Sequence, residues 1–226
     1  MGGLQGFLGG SDAVGRSVAL LLLVMSIAAW VVILWKAFVL TRVRRDLPRA
    51  VQAYWDAASL DEGRARLQGL DREALLVGLV DAAERQPDAA TLEARAHQDS
   101  QLTRRLRDAL NAGLERLQFG QVLLASIGST APFVGLFGTV WGIYHALLAI
   151  GAEGAFTLDK VAGPVGEALV MTAAGLAVAI PAVLAYNLYG KWVAACETLL
   201  EGFAHDLREM ILDAASPAPR RAASED

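Results

Sequence analysis

The sequence predicts an all-α membrane protein with three transmembrane helices and long cytoplasmic helical extensions. Three observations carry this reading. The 226-residue chain is 54% hydrophobic with mean hydropathy +0.39, yet 19% of it is charged, so its charges must be segregated. Residues 17–35, 117–152 and 161–190 contain one Asp, Glu, Lys or Arg between them, Glu167. Residues 41–116, in contrast, are crowded with charges of both signs. Apolar runs of about 20 residues or more match a hydrocarbon core of ~30 Å, which only closed hydrogen-bonded elements such as helices can cross.

The first span is expected at residues 17–40, after a periplasmic N-terminus of residues 1–16. It resembles a signal peptide only superficially. It is long, contains Trp30 and Trp35, and runs into Lys36 and an Arg cluster with no small-x-small cleavage site, so it is expected to be retained. Lys36, Arg42, Arg44, Arg45 and Arg49 follow this span, whereas only Arg16 closely precedes it. Basic residues stay on the cytoplasmic side, so the first helix is expected to run outside to inside. Arg104, Arg105, Arg107 and Arg116 before the second span and Lys191 after the third agree with a periplasmic N-terminus and a cytoplasmic C-terminus.

Residues 41–120 are expected to form a cytoplasmic helical domain together with an inner extension of the second spanning helix. Between Arg42 and Arg116 stand thirteen Arg and thirteen Asp plus Glu, a formal balance of zero that gives no footprint for nucleic acid. Leu75, Leu76, Leu79, Val80 and Ala83 repeat on one helical face, and Pro48 and Pro87 are candidate helix starts or breaks. From about Ala89 there is no strong breaker, and Leu102, Leu106, Leu110, Leu114 and Leu117 recur. One continuous helix projecting from the bilayer into the cytoplasm is expected there. Residues 117–152 alone would be about 54 Å long at ~1.5 Å per residue.

The second span, residues 121–150, has an ordered small-residue face. Gly128, Pro132, Gly135, Thr139, Gly142 and Ala146 are spaced 4, 3, 4, 3, 4, which aligns them along one side of a helix. Lipid gives helices no hydrophobic reason to associate, so such a face marks close approach by another helix. A periplasmic loop is expected at 151–162 and the third span at 163–190, where Ala168, Thr172, Gly175 and Ala179 form a second small face. Gly135, Gly138, Gly142 and Gly175, with Pro132 and Pro181, are the expected helix-packing positions. The third span should continue as a cytoplasmic amphipathic helix over 191–213. Its stripe of Trp192, Cys196, Leu199, Phe203, Leu207 and Met210 is expected to pack on the chain's own inner helices, ahead of a disordered tail at 214–226.

Chemistry-bearing motifs are sparse. No His-Glu-x-x-His or Cys-x-x-Cys is present, and Cys196 is the only cysteine, so neither a metal site nor an intrachain disulfide is expected. The one Gly-Lys pair, Gly190-Lys191, has Ala185 where a phosphate-cradling loop needs Gly and Trp192 where it needs Ser or Thr. An energy source other than nucleotide, no cofactor and no enzymatic activity are therefore expected. His97 and His205 read as solvated helix residues, and His145, near the outer end of the second span, as a headgroup-level or helix-interface residue in preference to one that touches a proton path. Glu167 is the sharp position, because an ionisable group within a span lines a cavity or a protein interface, unless it lies shallow enough to reach the outer headgroups. Thr172 lies about 140° from it around an ideal helix, so one narrow stripe cannot hold both. A membrane threonine commonly bonds back to its own helix. Paired with Thr139, Thr172 could also line a sparsely polar pore.

Residues 128–143 read GSTAPFVGLFGTVWGI, residues 162–176 read AGPVGEALVMTAAGL and residues 178–187 read VAIPAVLAYN. With the order of one span, a large inner segment and two spans, these motifs closely resemble the ExbB/TolQ proton-channel family, which is distantly related to the flagellar stator protein MotA. The dense match covers residues 121–187, and the family's Ala-Thr-Ala appears here as Met171-Thr172-Ala173. The resemblance implies a homopentamer in the inner membrane of a Gram-negative cell, its second and third helices surrounding a pore. Inside would sit the membrane helices of an ExbD-like or TolR-like dimer, whose aspartate exchanges protons. Thr139, Glu167 and Thr172 would belong to the proton pathway. Proton flow would drive a TonB-like or TolA-like protein that acts on the outer membrane. The TonB branch is the leading expectation and the Tol-Pal branch the alternative. A flagellar stator fits less well, having four spans, and a passive membrane scaffold would leave Glu167 unexplained.

Overall fold

A computed structural model describes residues 13–85, 97–153 and 158–215. It is all-helical, with no strand among the described residues: α1 (Ala13–Trp55), α2 (Leu60–Leu70), α3 (Leu75–Glu84), α4 (Gln98–Gln118), α5 (Gln121–Glu153) and α6 (Leu158–Ala215). Three of these helices, α1, α5 and α6, are long and apolar enough to cross a membrane. The described residues divide into two compact units, one drawn from those within 1–38 and 120–190 and the other from those within 39–119 and 191–226. Pro87 and the chain from Ser216 onward lie outside the described residues.

The first unit is made of the apolar spans. Large side chains such as Leu23, Val31, Leu34, Phe133, Phe137, Val140 and Leu184 are exposed, whereas the buried positions of α5 and α6 are mostly small: Ala131, Ala146, Ala168, Ala179, Ala182 and Ala185. This inverts the water-soluble pattern. Lipid solvates the large apolar residues, and close van der Waals packing of small ones joins the helices. Tyr189 of α6 donates its hydroxyl to the Ile33 carbonyl of α1 at 2.8 Å. Lys36 is buried.

The second unit packs its helices around a core of large apolar side chains. Leu40, Val43, Leu47, Ala50 and Tyr54, spaced 3, 4, 3, 4 on α1, are all buried, as are Leu75, Leu76, Leu79, Val80 and Ala83 of α3. Tyr54 meets Phe203 edge-on at 5.1 Å between ring centroids. Arg208 of α6 bonds Thr103 at 2.9 Å and pairs with Asp99 of α4, and Arg44 lies over the Trp192 ring at 4.8 Å. The expected α6 stripe therefore packs within the chain, with one change: Leu199 is exposed, and Val193 and Leu200 join Cys196, Phe203 and Leu207 in the core. At the start of α2, Ser59 accepts from the Glu62 amide and Glu62 accepts from the Ala58 amide at 3.1 Å. That amide bond, then Arg66, holds the Glu62 carboxyl below the ordinary range.

Two expectations are corrected. Pro48 neither starts nor breaks a helix but lies inside α1. Its missing N–H costs one helical bond, while Leu47 and Ala50 beside it are anchored in the core, so tertiary packing overrides the local preference. Nor does a continuous helix run from the charged segment into the second span. α4 ends at Gln118 and α5 begins at Gln121, with Gly120 at φ +81° between them. A Cβ at Gly120 would stand 2.9 Å from Val32 Cγ1, so this turn needs glycine for its backbone angle and for its close approach. The helices also run further into the connection expected at 151–162, α5 reaching Glu153 and α6 starting at Leu158.

Candidate functional site

The small face of α5 is occupied by α6 of the same chain. A Cβ on Gly135 would lie 2.5 Å from the Met171 carbonyl oxygen and 3.1 Å from Gly175 Cα. One on Gly175 would lie 2.6 Å from the Ala131 carbonyl oxygen. At these two positions only glycine allows the backbones to touch. The seam continues at Gly142, whose Cβ would meet Ala168 Cβ at 2.9 Å, and at Gly128 against Val183. Gly138 adds the third helix, because a Cβ there would stand 2.9 Å from Val18 Cγ1 of α1 and 3.2 Å from Met171. Pro132 and Pro181 are half-buried.

Thr139 and Thr172 meet at this seam. Their hydroxyl oxygens are 2.5 Å apart, and the Thr139 oxygen also lies 3.0 Å from the Ala168 carbonyl and 3.2 Å from the Gly135 carbonyl. Thr139 is buried and Thr172 half-buried, so Thr172 is the more accessible end of the pair. Each hydroxyl has one hydrogen. If Thr139 donates to a carbonyl, Thr172 donates to Thr139 and presents lone pairs on its open side. If Thr139 donates to Thr172, the Thr172 hydrogen is free to donate outward. The pair can therefore present an acceptor or a donor at one place without a side chain leaving it.

Glu167 is on another face, as its angular offset from Thr172 requires. It is exposed and lines a groove of about 640 Å³ with Ala19, Leu22, Leu23 and Ser26 of α1 and Met171 and Ala174 of α6. The sequence alone does not single out Ser26. Its one signal there is a hydroxyl in the middle of an otherwise apolar first span. His145 is half-buried, stacks on Trp141 at 4.7 Å and lies 3.4 Å from the Trp141 carbonyl, in the place of a helix-surface residue. The structure thus brings Thr139 and Thr172 together and keeps Glu167 apart from them.

Two glycine-seamed helices with a hydroxyl pair thus lie among three membrane-length spans. Residues 73–202 match the MotA/TolQ/ExbB proton channel family. The chain belongs to that family. It is 41% identical over 212 residues to the biopolymer transport protein ExbB of Xanthomonas campestris pv. campestris, covering 88% of this chain and 82% of the relative. It is 39% identical to the ExbB of Neisseria meningitidis serogroup A, over 89% of this chain and 94% of the relative. The Salmonella typhimurium ExbB is 31% identical over 94% and 90% respectively. As a MotA/TolQ/ExbB family member, this chain carries its seam, hydroxyl pair and Glu167 groove inside the matched segment. The α1 side of the groove, including Ser26, lies before it.

Proposed function

We propose that this chain is the proton-channel subunit of an inner-membrane motor that uses the proton motive force to energise TonB-dependent transport across the outer membrane. Five copies surround a pore formed by α5 and α6, an ExbD-like dimer sits inside it, and a TonB-like protein carries the work outward. The N-terminus is periplasmic and the C-terminus cytoplasmic. The observation that carries this reading is the Thr139–Thr172 contact, a hydroxyl pair able to donate or accept between two otherwise apolar helices. Thr139, Thr172 and Glu167 are the polar groups of the proton pathway, and the glycine seam holds the first two in register. The ExbB names of the relatives support the TonB branch over the Tol-Pal branch.

A proton crossing ~100 mV releases about 2.3 kcal/mol, which does mechanical work only if protonation is coupled to movement of the partner helix. The test removes the hydroxyl and keeps the shape. Thr172→Val is expected to leave the complex assembled while lowering energy-dependent iron-siderophore uptake severalfold, and Glu167→Ala to lower it further. Uptake and pull-down of the ExbD-like partner are measured in the same cells. Full uptake in both variants would refute the pathway assignment, and loss of uptake only together with loss of the complex would assign these residues a structural role.

A further inference from the structure

The Glu167 carboxylate has neither a hydrogen bond nor an ion pair among the described residues, although it stands in a groove between membrane-length helices whose only other polar side chain is Ser26. A charge so placed is unfavourable against lipid tails and calls for a protein partner. Its depth can be read from the seam. Ala168, the next residue, touches Gly142 and accepts from Thr139, so Glu167 is level with the α5 segment around residues 139–144.

Copies of one chain inserted by the same charge pattern point the same way in the membrane. In a ring whose axis is the membrane normal they also lie at equal depth. The α5 helix that a neighbouring copy presents to the groove therefore shows residues 139–144 at the level of Glu167. At that level Val140 and Tyr144 are the exposed large side chains, and Tyr144 alone of the two has a donor. Tyr144 packs on Trp141 and His145, but its hydroxyl makes no hydrogen bond among the described residues. Helical side chains tilt toward their own N-terminus. The two helices run in opposite directions, so Tyr144 leans inward and Glu167 outward, each toward the other's level.

We propose that the Glu167 groove is a subunit interface, closed by Tyr144 of the partner subunit donating its hydroxyl to the Glu167 carboxylate. This rests on the oligomeric ring proposed above and adds a specific contact to it. A lipid chain would leave the carboxylate unpaired.

The test is disulfide cross-linking in native membranes, in a Cys196→Ala background. Tyr144→Cys and Glu167→Cys are introduced in separate chains that are co-expressed, so that only a bond between chains can join them. Oxidation is expected to give a covalent dimer from the co-expressed pair and none from either variant alone. With both substitutions in one chain a ladder of higher multimers should form. Native mass spectrometry of the Cys196→Ala parent is run alongside. An oligomer without any cross-link would overturn the interface and leave the ring reading standing, whereas a monomeric parent would overturn the ring itself. Because Glu167→Cys could disturb assembly, a benzoylphenylalanine photoprobe at Tyr144 in an otherwise intact chain gives the second measurement. Capture of the peptide containing Glu167 from another copy supports the contact, and capture of lipid or of an unlike protein refutes it.

Discussion

Ala74 holds φ 51° and ψ 42°, a left-handed conformation that costs a residue bearing a Cβ roughly 1–2 kcal/mol. The surrounding bonds explain why it persists. The Asp71 carboxylate accepts from the amides of Leu75 and Val77 at 2.9 and 2.8 Å, capping α3, and the Ala74 carbonyl accepts from Arg116. All these contacts use the Ala74 backbone or its neighbours, and none uses its methyl group. Ala74→Gly should therefore raise stability by about 1 kcal/mol, since relief of the left-handed strain exceeds the extra unfolded-state entropy of glycine. The thermal midpoint of the purified protein is the measurement, and a lower midpoint would show that the methyl group packs usefully. Nothing in the local sequence announces this conformation, because Ala is a strong helix former. It is imposed by the cap and by a bond from a residue 42 positions away.

At the scale of elements, the α5–α6 seam depends on the absence of side chains. Gly135→Ala would place a carbon 2.5 Å from the Met171 carbonyl oxygen, and backbone cannot move aside as a flexible side chain can. The expected cost is about 1–3 kcal/mol of overpacking, read as a fall in thermal midpoint. Gly190→Ala is the control, with nothing within 4 Å of its added carbon, and should be neutral or stabilising. Equal effects would mean that helix propensity, and not the seam, governs stability. This seam was legible in the sequence, because the 4, 3, 4 spacing of small residues is a local pattern. Which helix fills it was not, since that is set by chain folding. The same division explains the rest of the site. Thr139 and Thr172 stood out as hydroxyls on small faces, whereas the groove that joins Glu167 to Ser26 exists only once α1 is in place. The break at Gly120 was likewise hidden, because the sign of its φ and its seat on Val32 are tertiary facts.

For the whole molecule, the two units differ in what surrounds them. Exposed leucines, valines and phenylalanines cover the first, whereas the second carries the surface ion pairs Arg64–Asp81 and Arg64–Glu84. A cysteine at Asp81, in the Cys196→Ala background, should resist membrane-impermeant reagents in intact spheroplasts and react once the inner membrane is opened. Labelling in intact spheroplasts would reverse the orientation proposed from the basic clusters. The Tyr189–Ile33 bond joins residues 156 positions apart, which has a consequence for how the protein is made. At about 5–20 residues per second of synthesis, roughly 8–30 s separate the emergence of Ile33 from that of Tyr189. For the first part of that interval, until α5 follows, the first helix is a hydrophobic stem without the helices that later pack on it, so insertion machinery or lipid must tolerate the Lys36 side chain before the protein interior encloses it.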